Sequence, residues 1–135
     1  MLEADRIILA TPIFFMTVCS QAKVLIDRFQ CLWSRKYVLK QPLFSETNTD
    51  RRALIIAVGG SKSKKMFESV TWTMKYFLDV LEMRYFANLY VNGIDDKGDI
   101  LSHPSAMSEA YRLGGELVSS ERPVSKKPLN VELYA

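Results

Sequence analysis

Two cysteines and one histidine are all the thiol and imidazole that this 135-residue chain possesses. Cys19 and Cys31 lie twelve positions apart without C-x-x-C spacing, which argues against a zinc ribbon or a redox dithiol and predicts reduced thiols in a cytoplasmic protein. His103 stands beside Pro104 and reads as an exposed, inert loop residue. No metal site follows from such a set. An excess of one charge is also missing: 18 basic and 15 acidic residues leave a net +3 spread along the chain, too weak and diffuse for a nucleic-acid partner. No apolar run reaches the roughly 18 residues that a bilayer span needs. The opening residues include Glu3 and Asp5 where a signal peptide carries positive charge, so no membrane partner is expected. Internal repeats and low-complexity tracts are absent.

What is present suits one globular domain, with 48% hydrophobic and 24% charged residues. Arg6, Ile7, Ile8, Leu9 and Ala10 form a short apolar run, predicting a strand of the buried, central kind with neighbours on both edges. Six residues precede Ile7, so part of a sheet is expected to be missing. A Pro-aromatic-aromatic loop then begins at Thr11. Ala22, Leu25, Ile26, Phe29, Leu32 and Trp33 next recur at helical steps, predicting a helix over residues 20–34 with these six inward. Residues 35–52 carry Pro42, Ser45, Thr47, Asn48 and Asp50 and read as a long surface connection.

A second apolar run over residues 53–58 ends at Gly59, Gly60 and Ser61, predicting strand and tight turn. Phe67, Val70, Met74, Phe77, Leu78 and Leu81 mark the inner face of a helix over 66–83, and residues 85–91 make a third strand stopping at Asn92-Gly93. Ser102 or Ser105 is the candidate cap of a last helix, with Ala106, Ala110, Leu113 and Leu117 inward and Gly114-Gly115 as its weak point. From residue 119 onward the chain reads as an extended tail, leaving 1–118 as the domain. Alternating strands and helices of this length predict an α/β fold of three parallel strands with flanking helices.

Thr11, Pro12, Phe14, Phe15, Thr17, Lys23, Asp27 and Arg28 occur in the order found in one branch of the flavodoxin-like FMN-binding oxidoreductases. The chain resembles the NAD(P)H-dependent FMN reductases and iron-sulfur flavoproteins of that branch, and the likeness extends through Gly59-Gly60-Ser61 to Asp96-Lys97-Gly98-Asp99. It looks like the C-terminal portion of such a domain. The resemblance implies that Thr11, Pro12, Ile13, Phe14, Phe15, Met16, Thr17 and Val18 line a flavin ring, with Gly59, Gly60 and Ser61 approaching from the next strand. It also implies FMN as cofactor, NAD(P)H as co-substrate, a small-molecule electron acceptor such as a flavin or quinone, and no catalytic acid or base, because the flavin carries the hydride chemistry.

Three departures shape the expectation. Met16 stands where the family has glycine, and Phe14 where it has tyrosine. The family's phosphate-binding strand-loop-helix has no counterpart before Met1, so the FMN site in this chain is expected to be weak or incomplete. The partners expected are a homo-oligomer or a second chain that completes the sheet. The alternative reading is a cofactor-free remnant serving as an interaction module through the edge of its first strand. On bland readings Lys62, Lys64 and Lys65 form a solvated face, Lys23 pairs with Asp27 on the helix surface, Cys19 packs as a small hydrophobe, and Trp33 and Trp72 lie near packing faces, with interface contact as their alternative.

Overall fold

A computed structural model describes residues 1–44, 50–119, 123 and 125–134. Strand β1 (Arg6–Phe14) turns back through the short β2 (Thr17–Val18) into helices α1 (Ser20–Arg28) and α2 (Gln30–Trp33), followed by a π-helical turn (Ser34–Val38). Strand β3 (Arg52–Val58), a 3-10 turn (Lys64–Phe67), helix α3 (Glu68–Val80) and strand β4 (Arg84–Val91) follow. The short α4 (Asp99–Ser102), then α5 (Ala106–Val118) and β5 (Leu129–Leu133) complete the order. The sheet order is β2-β1-β3-β4-β5. Strands β1, β3, β4 and β5 run parallel, and β2 is antiparallel to the end of β1.

The three expected strands are parallel neighbours, as right-handed crossovers dictate. Part of the expected tail joins them as a fourth, with Leu129, Val131 and Leu133 packing beside α5 while Asn130 and Glu132 face outward. Helices α1 to α3 cover one face of the sheet, and α4 and α5 the other. All six inward residues expected of α3 and its flanks are buried. In the first helix, Ala22, Ile26, Phe29 and Leu32 pack against the core, but Leu25 and Trp33 are exposed. Leu25 lies inside α1, beside the inward Ala22 and Ile26; beyond it Phe29 leaves helical geometry at φ −87° and ψ 4°, and the wider π-helical turn follows Trp33.

The surface connection expected over 35–52 starts in that π-helical turn and ends in two buried arginines, Arg51 and Arg52; Ser45, Thr47 and Asn48 lie outside the described residues. His103 is not inert. Its Nδ1 accepts the backbone N–H groups of Ser105 and Ala106 at 3.3 and 3.1 Å, so the imidazole caps α5, and Ser105 makes no side-chain cap bond.

A bulge where the β3–β4 register skips a residue puts Tyr85 and Asn88 on the same face of β4. There the Tyr85 hydroxyl donates to Asn88 Oδ1, Asn88 Nδ2 donates to Asn130 Oδ1 at 2.7 Å, and Thr71 and Tyr90 share a hydroxyl bond at 2.7 Å. Burial pushes both tyrosine pKa values up. The folded state therefore keeps these protons above pH 10, where the unfolded chain gives them up. Their contribution is full below that pH and drains away as pH rises, at up to about 1.4 kcal/mol per pH unit for each tyrosine. Tyr90→Phe should flatten the fall in unfolding free energy above pH 10 by about that amount, measured by urea titration at stepped pH. Equal slopes in variant and parent would contradict this account.

One edge of the sheet is open. Beyond the β2 pairing at Ile13 and Phe14, β1 has no strand partner on that side among the described residues. Ile8, Ala10 and Pro12 are exposed while Leu9 and Thr11 are buried, because α5 covers β3 and β4 without reaching over β1. A strand of central composition thus sits at a border. None of the helices described is long and apolar enough to cross a membrane, and no described cluster of His, Cys, Asp and Glu could hold a metal ion.

Candidate functional site at the strand ends

Pro12 of β1 lies in register with Val58 of β3, and Val58 with Val91 of β4, so three loops leave the same end of the sheet side by side. This is the crevice end of an open parallel sheet. The first loop is tighter than expected. Strand β1 continues through Phe14, and Ile13 and Phe14 pair back with Val18 and Thr17, leaving Phe15 and Met16 as the turn. Two-residue hairpins favour mirror-image turns with positive φ at both positions, which normally call for Asn-Gly. Here Phe15 has φ 49° and Met16 φ 65°.

Left-handed backbone costs a non-glycine residue roughly 1–2 kcal/mol, so this turn is strained twice over. It persists because its base is pinned. Val18 is buried in the core, Ser69 Oγ on α3 donates to the Met16 carbonyl, and the Cys19 N–H donates to Thr11 Oγ1 at 3.2 Å. The same Thr11 hydroxyl is the main cause holding the Cys19 thiol pKa below its ordinary value. Met16→Gly should relieve one strained position and raise the unfolding free energy by about 1 kcal/mol. A chemical denaturation curve reads it, and a loss of stability would contradict the strain.

The turn carries an apolar lip. Phe14 is 58% exposed, Met16 46%, and Phe15 is fully exposed at 101%. Of the eleven site residues read from the sequence, Thr11 and Val18 point inward and serve the fold, because the loop thought to begin at Thr11 is strand as far as Phe14. Phe14, Phe15 and Met16 form the lip, with Pro12, Ile13 and Thr17 along its base.

Gly59, Gly60 and Ser61 form the neighbouring loop. A Cβ at Gly59 would lie 2.2 Å from the methyl of the buried Met66 and 3.2 Å from Ile13 Cβ, so the core would have to shift, whereas one at Gly60 would meet the carboxylate end of the exposed Asp95 at 2.5 Å. The loop is held by Gly59 N–H to the Val91 carbonyl at 3.0 Å and by Asn92 Nδ2 to the Lys62 carbonyl at 3.1 Å. No acceptor among the described residues takes the Gly60 or Ser61 N–H. Ser69, Asn92 and Asp95 were missed by sequence reasoning as parts of this site. The Asn92-Gly93 strand stop was their one visible signal. Lys62, Lys64 and Lys65 are exposed beyond the loop, with Lys64 over the Tyr134 ring at 4.4 Å.

No curated protein matches the chain. Among solved structures it is similar to the Trp repressor binding protein from Bacillus subtilis, at 28% identity and a TM-score of 0.60. The match covers 83% of this chain and 64% of that one, so the chain spans under two thirds of that relative's length. A family model described as a flavodoxin-like fold matches residues 1–113. With its parallel sheet and strand-end loops, the chain belongs to this flavodoxin-like family.

Proposed function

We propose that the lip and glycine turn are the ring-holding part of an FMN-dependent oxidoreductase that takes hydride from NAD(P)H and passes electrons to a small acceptor such as a flavin or quinone. The observation that carries this reading is the fully exposed Phe15 on a doubly strained turn. A chain that leaves an aromatic ring in water and holds its backbone in a costly conformation gains from a ligand that covers that ring. Phe14, Phe15 and Met16 offer apolar cover, and the Gly60 and Ser61 N–H groups offer donors for ring carbonyls. When bound, FMN supplies the redox chemistry, and the chain's residues orient it and shed water from it.

These residues fit the apolar flavin ring. The test is a titration of the purified chain with FMN, followed in the visible flavin bands. The reading expects a saturable spectral shift and weak affinity; an unchanged spectrum at high FMN rejects it.

The open edge of β1 favours a second reading, in which the chain works without cofactor as an interaction module and another strand, from a second copy or a different chain, completes the sheet. That reading expects no flavin shift, and loss of association when Ile8, 53% exposed on β1, is replaced by lysine.

A further inference from the structure

Away from the strand ends, the helical layer holds a groove of about 210 Å³ that shares no residue with the rim and that the flavin reading does not use. Trp33 of α2 and Tyr76 of α3 both line it, and Phe29 and Phe77 form its floor, meeting edge to face at 5.6 Å. Each wall is backed by a further ring. Trp72 stacks on Tyr76 with centroids 6.3 Å apart, and Tyr37 packs on Trp33 at 5.5 Å. These four side chains are 40–62% exposed, so ring faces stay open to a ligand.

The charges around the groove cancel in pairs, with one left over. Lys23 Nζ is 2.6 Å from Asp27, and Lys36 Nζ is 3.1 Å from Asp79, which also accepts the Tyr37 hydroxyl. Lys75 is exposed, and its ammonium lies 5.0 Å from the Trp72 centroid and 5.9 Å from that of Tyr76, with no carboxylate partner among the described residues.

We propose that this groove binds a small planar aromatic carboxylate, its ring lodged against Trp33 and Tyr76 and its carboxylate at Lys75. Charge, size and wall chemistry select this occupant together. One uncompensated cation matches a monoanion, and is too little for a phosphate chain, which is held by many basic contacts. A cavity of about 150 Å³ already takes a benzene ring, so this groove has room for one or two fused rings and not for a folded peptide segment. Ring walls and a ring floor favour a further ring over an alkyl chain, because aromatic pairs gain from offset or edge-on contact beyond the area they bury.

Both tryptophans of the chain stand in this patch, so their indole N–H signals report on it in the unaltered protein. Titration with naphthoate, followed by heteronuclear NMR, should move both signals along one saturable curve. Naphthylmethylamine, with the same rings and the opposite charge, should bind about tenfold more weakly, and octanoate, with the charge and no ring, at least about threefold more weakly. Lys75→Gln should weaken naphthoate binding about fivefold without weakening that of the amine, while Phe15→Asn on the rim should leave naphthoate binding unchanged. Indole signals that stay in place, an amine or octanoate held as tightly as naphthoate, full affinity in Lys75→Gln, or loss of affinity in Phe15→Asn would each overturn the proposal. The comparison of the three probes needs no variant, so a misfolded substitution leaves the result decisive.

Discussion

Replacing Arg51 with methionine is expected to lower the unfolding free energy by about 3 kcal/mol and the melting temperature by about 10 °C. The guanidinium is 2% exposed and ties three segments together. Its Nη1 donates to the Leu81 carbonyl at 2.6 Å, closing the end of α3, while Nη2 reaches the Leu2 and Ala4 carbonyls at 3.0 and 3.2 Å. Phe44 lies against its face at 4.3 Å. Burial lowers the Arg51 pKa from its ordinary value, so keeping the charge inside has a cost of its own. That cost decides the magnitude: four charge-assisted bonds to three carbonyls, at about 1.5–3 kcal/mol each, exceed the desolvation they repay, but not by their full sum. Methionine fills the volume and leaves the carbonyls without their donor. Arg51→Lys, a single ammonium without the planar fork, should recover less than half of the loss. Thermal and urea unfolding check both variants, and a change under about 1 kcal/mol for Arg51→Met would show that water replaces the guanidinium freely.

Phe15→Asn should move stability and flavin affinity in opposite directions. Asparagine tolerates positive φ better than phenylalanine, and a side chain that is fully exposed has no packing to lose. The unfolding free energy should rise by about 0.5–1 kcal/mol. If the ring covers bound flavin, its removal forfeits the burial of one aromatic, about 1.5–3 kcal/mol, which weakens the FMN dissociation constant roughly 10- to 100-fold. Few substitutions separate a structural role from a binding role so cleanly. A variant that loses stability in parallel with affinity would mean that the phenylalanine belongs to the fold.

How far the sequence reaches depends on how long each pattern runs. Helix α3 and its flanks were legible because six apolar residues keep helical spacing across about four turns, and all six are buried. In the first helix the same spacing named Leu25 and Trp33 as inward, but both are exposed: Leu25 lies within α1, and Trp33 follows the break at Phe29. Strand β5 was hidden because three alternating apolar residues, Leu129, Val131 and Leu133, are too few to stand out in a tail of lysines and prolines; pairing with β4 fixes them. Arg51 gave no signal at all. A basic residue in a polar connection reads as solvated until the chain ends around it are placed.

The candidate site shows the same division. Gly59-Gly60-Ser61 and Phe14-Phe15-Met16 were found as loops, and strand register brings both to one end of the sheet. Met16 in place of glycine foretold strain, and its φ of 65° shows it. The inward turn of Thr11 and Val18 was missed because residues 11–18 were read as a ligand-facing loop, whereas β1 runs on to Phe14 and its edge position tolerates Pro12.

The central proposal is that this rim grips the tricyclic ring through Phe14, Phe15 and Met16. Fluorescence titration of the chain with lumiflavin, which carries the ring and no phosphate, tests it most directly. The account expects saturable binding that Phe15→Asn weakens about 10-fold or more. Failure of lumiflavin to bind, or binding that Phe15→Asn leaves unchanged, would contradict it.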